Sequence, residues 1–299
     1  MDDHSALTFK SILHLTDFSA CSNAALTWAI GMARANGAKL SVLHVVVPLV
    51  YMTPTSPTIA LDIQEEWARE EMRRIEAEFL DVPHQTVVTR GSDVWSVVEL
   101  KLKKLESDLI VLGTHGRTGL DKILMGSVAE KVLRSSPIPV MTVGPAVPRG
   151  RGGDGKFHRV LLATDFAAGS AAAAGYAMAF AQRDDAKLVL IHACKKSKQK
   201  TSAKRSELSV AEVMHRLGET IPCADSLRHR PETLVEYGEA GARIVEAAKR
   251  KEADLIVMGI RTAENLFAAT HLGVGTAHNV VAQAPCPVLT VKPKARQAA

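Results

Sequence analysis

Long apolar runs are missing from this 299-residue sequence. None reaches the roughly 18 residues of a membrane-spanning helix, which argues against a membrane protein. The N-terminus, Met1-Asp2-Asp3-His4, is acidic and polar and does not resemble a secretion signal. We therefore expect a cytoplasmic protein with no membrane partner.

Cysteine and aromatic residues are also scarce. The four cysteines, Cys21, Cys194, Cys223 and Cys286, show no C-x-x-C spacing and no nearby histidine, so a disulfide framework or a structural zinc is unsupported. Aromatics make up 4% of the chain and do not interleave with the basic run Lys195–Arg205, which disfavours nucleic acid binding. Net charge is −3 over residues 1–148 and +8 over the remainder. We expect a solvated loop at this run and leave an anionic regulatory partner open.

The familiar phosphate loops are absent as well. No G-x-x-x-x-G-K-[ST] occurs, and no G-x-G-x-x-G follows a strand. The chain also lacks the S-G-G-x-D-S and H-I-G-H motifs and a second substrate domain, which argues against a nucleotidyl transferase. Its composition, 46% hydrophobic and 23% charged, is that of a globular protein with substantial cores.

The sequence does contain a long internal repeat. Four strand-like segments recur in the same order at a nearly constant offset: Ile12–Phe18 as Val160–Phe166, Ala38–His44 as Ala186–His192, Asp108–Gly113 as Asp254–Gly259, and Pro137–Val143 as Pro285–Val291. The repeat predicts two domains, residues 1–146 and 156–299. Composition predicts an exposed linker over 144–155.

Strand-like and helix-like segments alternate within each copy. In the first copy the predicted strands are 10–16, 39–47, 84–90, 108–113 and 138–143, and the predicted helices are 20–36, 60–80, 93–106 and one starting at Ser127. Such alternation predicts an open α/β unit with a mainly parallel sheet. Ligands of these sheets sit beyond the carboxyl ends of the strands, where the strand order reverses. If strands one and four are neighbours, Asp17 and the loop after strand four meet in one crevice.

The segment after strand four predicts a phosphate site. Its apolar run ends at Gly113, Gly116 follows, and Gly126 and Ser127 come where the next helix begins. Glycine allows close backbone approach, and a helix N-terminus offers unpaired N–H donors at a positive dipole end. We expect the N–H groups of Gly126 and Ser127 to point toward phosphate. An alternative stays open, because Ser127 and Glu130 have capping-box spacing and Ser127 then simply caps its helix.

This G-x2-G-x9-G-S spacing, in a tandem α/β chain, resembles the universal stress protein family over nearly the full length. The resemblance implies two Rossmann-like domains, each an open five-stranded sheet of order 3-2-1-4-5 with helices on both faces. It implies an ATP-binding stress-response or regulatory protein, with ATP and Mg²⁺ held in the N-terminal domain. The implied binding residues are Thr16, Asp17, Val45, Leu112, Gly113, Thr114, His115, Gly116, Arg117, Gly126, Ser127 and Val128.

The resemblance also assigns roles. Asp17 accepts from the ribose hydroxyls, while Val45 meets the adenine edge through its backbone and Leu112 packs nearby. Other interpretations stay open: Asp17 as a cap of the first helix, and Val45 and Leu112 as plain core residues. His115 lies where a base would act, but loop histidines are usually only solvated, and no catalytic residue is assigned. A slow ATPase and a nucleotide-free scaffold remain alternative functions.

The second copy departs from the family pattern. Ile260-Arg261-Thr262 follows Gly259, so the second glycine is missing, and Gly275 lies 16 residues after Gly259, against 13 for the matching pair in the first copy. Asp165 is kept. We therefore expect nucleotide in the first domain only. The resemblance further implies that the two domains pair within the chain, and a homodimer and an unidentified protein partner are left open.

Overall fold

The computed structural model describes residues 8–48, 57–116, 125–194, 209–221, 224–260 and 273–293, with only the backbone of 57–60 and 273–274. Several predicted features lie outside this part of the chain: Arg117, the basic run 195–205, Cys223 and the loop residues Arg261 and Thr262. The chain divides into two compact units. The first is built on Thr8–Pro145 with Arg149–Lys156, and the second on Phe157 onward with Ala146–Pro148.

Each unit alternates strands and helices as the repeat predicts. The first contains β1 Ser11–Leu15, α1 Ala20–Asn36, β2 Lys39–Val46, α2 Pro57–Glu76, β3 His84–Arg90, α3 Val94–Leu105, β4 Leu109–Gly113, α4 Ser127–Ser135 and β5 Val140–Val143. The second contains β6 Arg159–Ala163, α5 Ala168–Asp184, β7 Lys187–Cys194, α6 Val210–Glu219, a 3₁₀ turn Ala224–Ser226, β8 Glu232–Tyr237, α7 Ala240–Arg250, β9 Leu255–Gly259, α8 Gly273–Gln283 and β10 Val288–Val291. None of these helices, within the residues described, is long and apolar enough to cross a membrane.

The strand order confirms the predicted topology. The first unit runs β3-β2-β1-β4-β5, and the second repeats that order as β8-β7-β6-β9-β10. The observed pairings within each unit are parallel. Because parallel crossovers are right-handed, this order places helices on both faces of each sheet. The order in which successive strands join the sheet reverses between the parallel neighbours β1 and β4, where Leu15 lies opposite Leu112.

An aspartate at a matching position in each copy organises the start of each sheet. Asp108, just before β4, accepts hydrogen bonds from the N–H groups of Lys10 (2.7 Å) and Ser11 (3.1 Å). Asp254 does the same for the backbone at the start of β6, and its burial raises the pKa of that carboxyl. Each aspartate therefore aligns the first strand of its copy with the fourth.

Helix ends follow local chemistry. Helix α1 ends as predicted at Gly37, which adopts φ +61° in the left-handed region. Helix α2 stops at Glu76, earlier than the predicted residue 80. The chain turns there, with the Phe79 N–H donating to the Glu76 carbonyl (3.2 Å), and this turn buries the Phe79 ring completely. The helix therefore ends where a turn can bury the large ring of Phe79.

The predicted exposed linker is exposed at residues 149–151 but wrong at Gly152, Gly153 and Gly155. A Cβ atom at Gly31, in the middle of α1, would lie 1.8 Å from the Gly152 carbonyl oxygen, and one at Gly155 would lie 2.1 Å from the Gly31 oxygen. The ring of Trp28 covers Gly152, and Arg34 donates to the Gly153 carbonyl (3.2 Å). Within the segment 149–156, residues 152–155 therefore pack on α1. Composition predicts turns from these glycines, but it does not reveal a packing partner so distant in sequence.

Candidate functional site

A cavity of about 220 Å³ opens at the carboxyl ends of β1 and β4. It brings together every described residue of the predicted site: Thr16, Asp17, Val45, Leu112, Gly113, Thr114, His115, Gly116, Gly126, Ser127 and Val128. Arg117, the remaining predicted residue, lies outside the described residues. Six further lining residues were not predicted: Leu15, Ser22, Leu43, His44, Val94 and Ala129. The neighbouring strands thus place Asp17 and the glycine loop in one crevice.

The turn after β1 holds Asp17 in place. Phe18 adopts φ +62°, uncommon for a side chain of this size, and its N–H donates to the Thr16 hydroxyl oxygen (3.0 Å). The Asp17 Oδ1 accepts from the Ser19 N–H (3.0 Å). Ser19, not Asp17, is the N-cap of α1, because its hydroxyl oxygen accepts from the Ser22 N–H (3.2 Å). The interpretation of Asp17 as the helix cap is therefore wrong.

The first two glycines of the loop have different structural roles. A Cβ atom at Gly113 would lie 2.9 Å from the Cys21 carbonyl carbon and the Ser22 nitrogen, so this glycine lets α1 approach β4. A Cβ atom at Gly116 would lie 2.8 Å from the Asp17 Oδ2, so this glycine makes room for the carboxylate. Gly113 borders the cavity, but a glycine at this position has a packing reason. Gly116 is the glycine that shapes the binding crevice.

Gly126 and Ser127 begin helix α4 at the cavity wall. The Gly126 N–H donates to the Thr114 carbonyl (2.8 Å), so the prediction that it points toward phosphate is wrong. Gly126 is the N-cap of α4 and supplies no side-chain acceptor, while Ser127 is the first helical residue. The capping-box interpretation of Ser127 is therefore wrong too. The N–H groups of the first turn, at Ser127, Val128 and Ala129, begin beside the cavity without partners inside the helix.

Two histidines line the same cavity. The His115 Nδ1 lies 2.8 Å from the Thr114 hydroxyl oxygen, and burial lowers the pKa of His115, so its imidazole is neutral at pH 7. His44 places its Nδ1 2.8 Å from the Thr16 carbonyl oxygen and its ring centroid 4.7 Å from that of Phe18. His44 was missed as a lining residue. Its recurrence as His192 in the repeat is the signal that pointed to it.

The two apolar residues differ in burial. Leu112 is 3% exposed, so the interpretation of Leu112 as a core residue is confirmed. It also lines the cavity. Val45 is half-buried near the end of β2 and lines the cavity wall. Its contact with an adenine edge stays a prediction.

The charges around the cavity suit a nucleotide held mainly by backbone donors. Asp17 is the sole carboxylate among the described lining residues, and they include no lysine or arginine. The described part of the chain contains no cluster of three or more His, Cys, Asp or Glu side chains able to hold a metal ion. Mg²⁺ commonly uses one or two carboxylates together with substrate phosphates, so a single Asp17 fits a Mg-nucleotide.

The second copy builds the same turn with a different aspartate environment. Phe166 again adopts a positive φ (+61°), and the His192 Nδ1 again lies 2.8 Å from the Thr164 carbonyl oxygen. Here the Ser170 hydroxyl donates to the Asp165 Oδ1 (2.7 Å), whereas the Ser22 hydroxyl of the first copy donates to the Thr16 hydroxyl oxygen. The loop that would complete a second crevice lies outside the described residues.

An open parallel α/β sheet with a glycine loop and a helix N-terminus at its switch point defines a Rossmann-like protein. The family model described as the universal stress protein family matches residues 8–144 and again 156–292. The chain therefore belongs to the universal stress protein family, as a tandem of two such domains.

Individual relatives agree with this assignment. A universal stress protein of Mycolicibacterium smegmatis is 29% identical over 306 residues, covering 96% of this chain and 98% of the relative. A universal stress protein of Methanocaldococcus jannaschii is 33% identical over 147 residues, covering 45% of this chain and 82% of the relative. The crystal structure of a universal stress protein from Archaeoglobus fulgidus shares the fold, with a TM-score of 0.69, 21% identity and coverage of 95% and 98%.

Proposed function

We propose that the first unit binds ATP in the crevice between β1 and β4, and that the protein is a stress-response or regulatory protein controlled by nucleotide occupancy. One observation carries this proposal. Helix α4 begins at the cavity with a glycine N-cap that provides no side-chain acceptor, and the Asp17 carboxylate lines the same cavity. An uncapped helix N-terminus favours an anion, and phosphate is the anion that such ends commonly hold.

The lining residues differ in chemistry, and each kind suits one part of the ligand. The first-turn N–H groups of α4, at Ser127–Ala129, hold the phosphates, because they donate and carry the positive end of the helix dipole. Asp17 repels phosphate and accepts from hydroxyl groups, so it takes the ribose. Val45 and Leu112 border the remaining wall, where the adenine packs. Thr16, Thr114 and His115 complete the polar wall around the ribose and phosphates.

Charge balance favours Mg-ATP over free ATP. The described lining residues bring one carboxylate and no cation, so a bare triphosphate meets little compensation. Mg²⁺ bound together with the nucleotide would reduce that charge, while Asp17 keeps its role at the ribose. Arg117, which follows Gly116 directly in the sequence, is the candidate protein cation.

The repeat offers a matched test. Calorimetry with Mg-ATP is expected to give about one site per chain. Asp17→Asn removes a charged acceptor of ribose hydroxyls, so ATP affinity is expected to fall about tenfold or more. The control is Asp165→Asn, the same change in the second copy, which leaves ATP affinity unchanged. With 2′,3′-dideoxy-ATP, wild type and Asp17→Asn are expected to bind alike, because no ribose hydroxyl remains.

Several results contradict the proposal: no binding under saturating Mg-ATP, two equal sites, or an equal loss from the two aspartate variants. Mass spectrometry of the protein purified without added nucleotide provides an independent check. A chain that binds no nucleotide in either experiment is the nucleotide-free scaffold.

A slow ATPase is the second candidate, and His115 is the observation that favours it. Its imidazole lines the cavity and is neutral at pH 7, as a proton acceptor must be. Turnover is expected below roughly 10 s⁻¹, because no arginine lies among the described lining residues to stabilise transferring phosphate. Phosphate release that His115→Ala abolishes, with ATP binding retained, establishes the ATPase. Release that His115→Ala leaves intact removes His115 from any catalytic role.

A further inference from the structure

Three rings of the first unit lie in contact beside the crevice at the carboxyl ends of β1 and β4. The ring centroid of Phe18 lies 4.7 Å from that of His44, which lines the cavity, and 5.4 Å from that of Trp67. Trp67 belongs to α2 and is not among the lining residues. Its indole meets the Phe18 ring at an interplanar angle of 90°, a favourable arrangement for two aromatic rings. These contacts connect α2 to the cavity through Phe18.

Trp67 does not belong to the buried face of its helix. Ala68 and Met72, on that face, are 0% and 3% exposed, whereas Trp67 is 41% exposed. The helix is held at the same end of the sheet by Arg90, the last residue of β3, which pairs with Glu65 at 2.6 Å. Core packing therefore does not account for the position of the indole, and its contact with the turn after β1 does.

Phe18 needs support because of its backbone conformation. Its φ of +62° lies in the left-handed region, which is unfavourable for a large side chain. The Asp17 Oδ1 accepts from the N–H of Ser19, which follows Phe18 directly. Rotation of Phe18 toward a negative φ would move that N–H away from the carboxylate. The contacts that hold the Phe18 ring therefore also hold Asp17.

The second copy supports the matching phenylalanine with a different side chain. Phe166 has φ +61°, its ring centroid lies 4.6 Å from that of His192, and the Arg216 guanidinium lies 5.8 Å from the same ring centroid. Arg216 comes from α6, the helix after the second strand of its copy, as Trp67 comes from α2. An edge-on ring and a cation are both favourable neighbours of an aromatic ring. The recurrence indicates that the turn uses a contact from this helix.

We infer that Trp67 is a positioning residue of the first unit. It holds Phe18, and through Phe18 it holds the Asp17 carboxylate in the orientation that accepts the ribose hydroxyls. This inference rests on the proposed binding of ATP. Trp67 acts through Asp17 and not through the ligand, so its loss affects recognition of the ribose hydroxyls and leaves the contacts to phosphate and base unchanged.

Calorimetry with Mg-ATP and with its 2′,3′-dideoxy analogue tests the inference. Trp67→Ala is expected to weaken ATP about threefold to tenfold, the equivalent of one lost aromatic contact. Its affinity for dideoxy-ATP stays that of the wild type, because Asp17 has no hydroxyl to accept from. Trp67→Phe keeps a ring beside Phe18 and restores ATP binding. In the Asp17→Asn background, Trp67→Ala adds no further loss, since both changes act on one interaction.

Two control variants leave ATP affinity unchanged. Ile63→Ala removes a 64% exposed side chain one turn earlier on α2, and Arg216→Ala removes the matching contact of the second copy. Wild-type ATP binding that Trp67→Ala leaves intact overturns this inference alone. An equal loss for ATP and dideoxy-ATP also overturns it, because Trp67 then contacts the ligand or supports the fold in general. A wild type that binds no ATP contradicts the proposed function and this inference together.

Discussion

The two copies share one βα turn and use its aspartate differently. In both, a phenylalanine with positive φ follows the aspartate, and a histidine from the second strand meets the threonine carbonyl at 2.8 Å. In the second copy the Ser170 hydroxyl donates to that aspartate, Asp165, whereas in the first copy the Ser22 hydroxyl donates to the Thr16 hydroxyl oxygen. A residue held in an unusual conformation costs about 1–3 kcal/mol. Because both copies retain that cost, the turn serves the fold, and the copies differ in what surrounds the aspartate that the turn holds.

The glycines that follow the fourth strand also differ between the two copies. Gly113 and Gly259 both stand where a helix backbone presses against a strand end, with Cβ approaches of 2.9 Å and 2.1 Å. Gly116 has no glycine counterpart in the second copy, and its missing side chain makes room for Asp17. Glycines required for packing are thus common to both copies. The glycine that shapes the crevice occurs only where nucleotide is proposed to bind.

The largest expected effect comes from a substitution in the glycine loop of the first copy, which should make its crevice as unable to bind ATP as the second copy is proposed to be. Gly126→Val places a branched side chain at the cavity wall, where its Cβ would lie 3.4 Å from the Thr114 carbonyl oxygen. We expect ATP affinity in calorimetry to fall by far more than tenfold, with folding cost near the ordinary range of about 0.5–3 kcal/mol. Gly275→Val is the control, since a Cβ there meets nothing within 4 Å. Normal ATP binding by folded Gly126→Val would show that α4 does not hold phosphate.

The next effect concerns a buried histidine found only in the first copy. His14, the fourth residue of β1, is fully buried, and Leu162 occupies the matching position of β6. Its Nδ1 lies 3.0 Å from the Val111 carbonyl oxygen, and its Nε2 has no partner within the described residues. Burial lowers the pKa of His14 from 6.5 to about 4. As pH falls below 6.5 the unfolded chain binds this proton first, so stability is lost between pH 6.5 and 4.

His14→Leu is therefore expected to remove a pH-dependent loss of about 3 kcal/mol between pH 7 and pH 4. Urea unfolding of the two proteins at several pH values measures it, and the two stability curves should run parallel above pH 7. The reverse change, Leu162→His, is expected to introduce a similar acid sensitivity in the second unit. An unchanged pH slope for His14→Leu would mean that the imidazole is protonated in the folded protein.

A smaller effect tests the shared glycines. Gly113→Ala and Gly259→Ala both force a Cβ against helix backbone, so both are expected to lose about 1–3 kcal/mol, as overpacked cores do. Gly259→Ala should lose more, because its Cβ approach is 2.1 Å against 2.9 Å. Thermal unfolding of both variants measures the difference. Loss of stability in only one copy would show that the glycines are not equivalent.

The sequence predicts the elements whose causes are local or repeated. Four recurring strand cores give the tandem units, and Gly37 marks the end of α1 because a left-handed residue closes a helix there. The described residues that the family resemblance implies line one cavity, because parallel strands bring their carboxyl ends together. The Gly126 N–H, the α1 cap at Ser19 and the packing of residues 152–155 were not predicted correctly. Each is decided by which backbone groups approach in three dimensions, and spacing along the chain does not contain that information.

The smallest expected effect compares one substitution in two matching helices. Gly31 in α1 is buried under residues 152–155, whereas Gly175 in α5 is exposed, and a Cβ there meets nothing within 4 Å. Alanine favours helix over glycine by about 0.5–1 kcal/mol, so Gly175→Ala is expected to stabilise by that amount. Gly31→Ala gains the same propensity, but its Cβ would lie 1.8 Å from the Gly152 oxygen, so it is expected to destabilise. Opposite shifts in the urea midpoints confirm that residues 152–155 pack on α1 in solution. Equal stabilisation would mean that this segment leaves α1 exposed, as composition alone predicts.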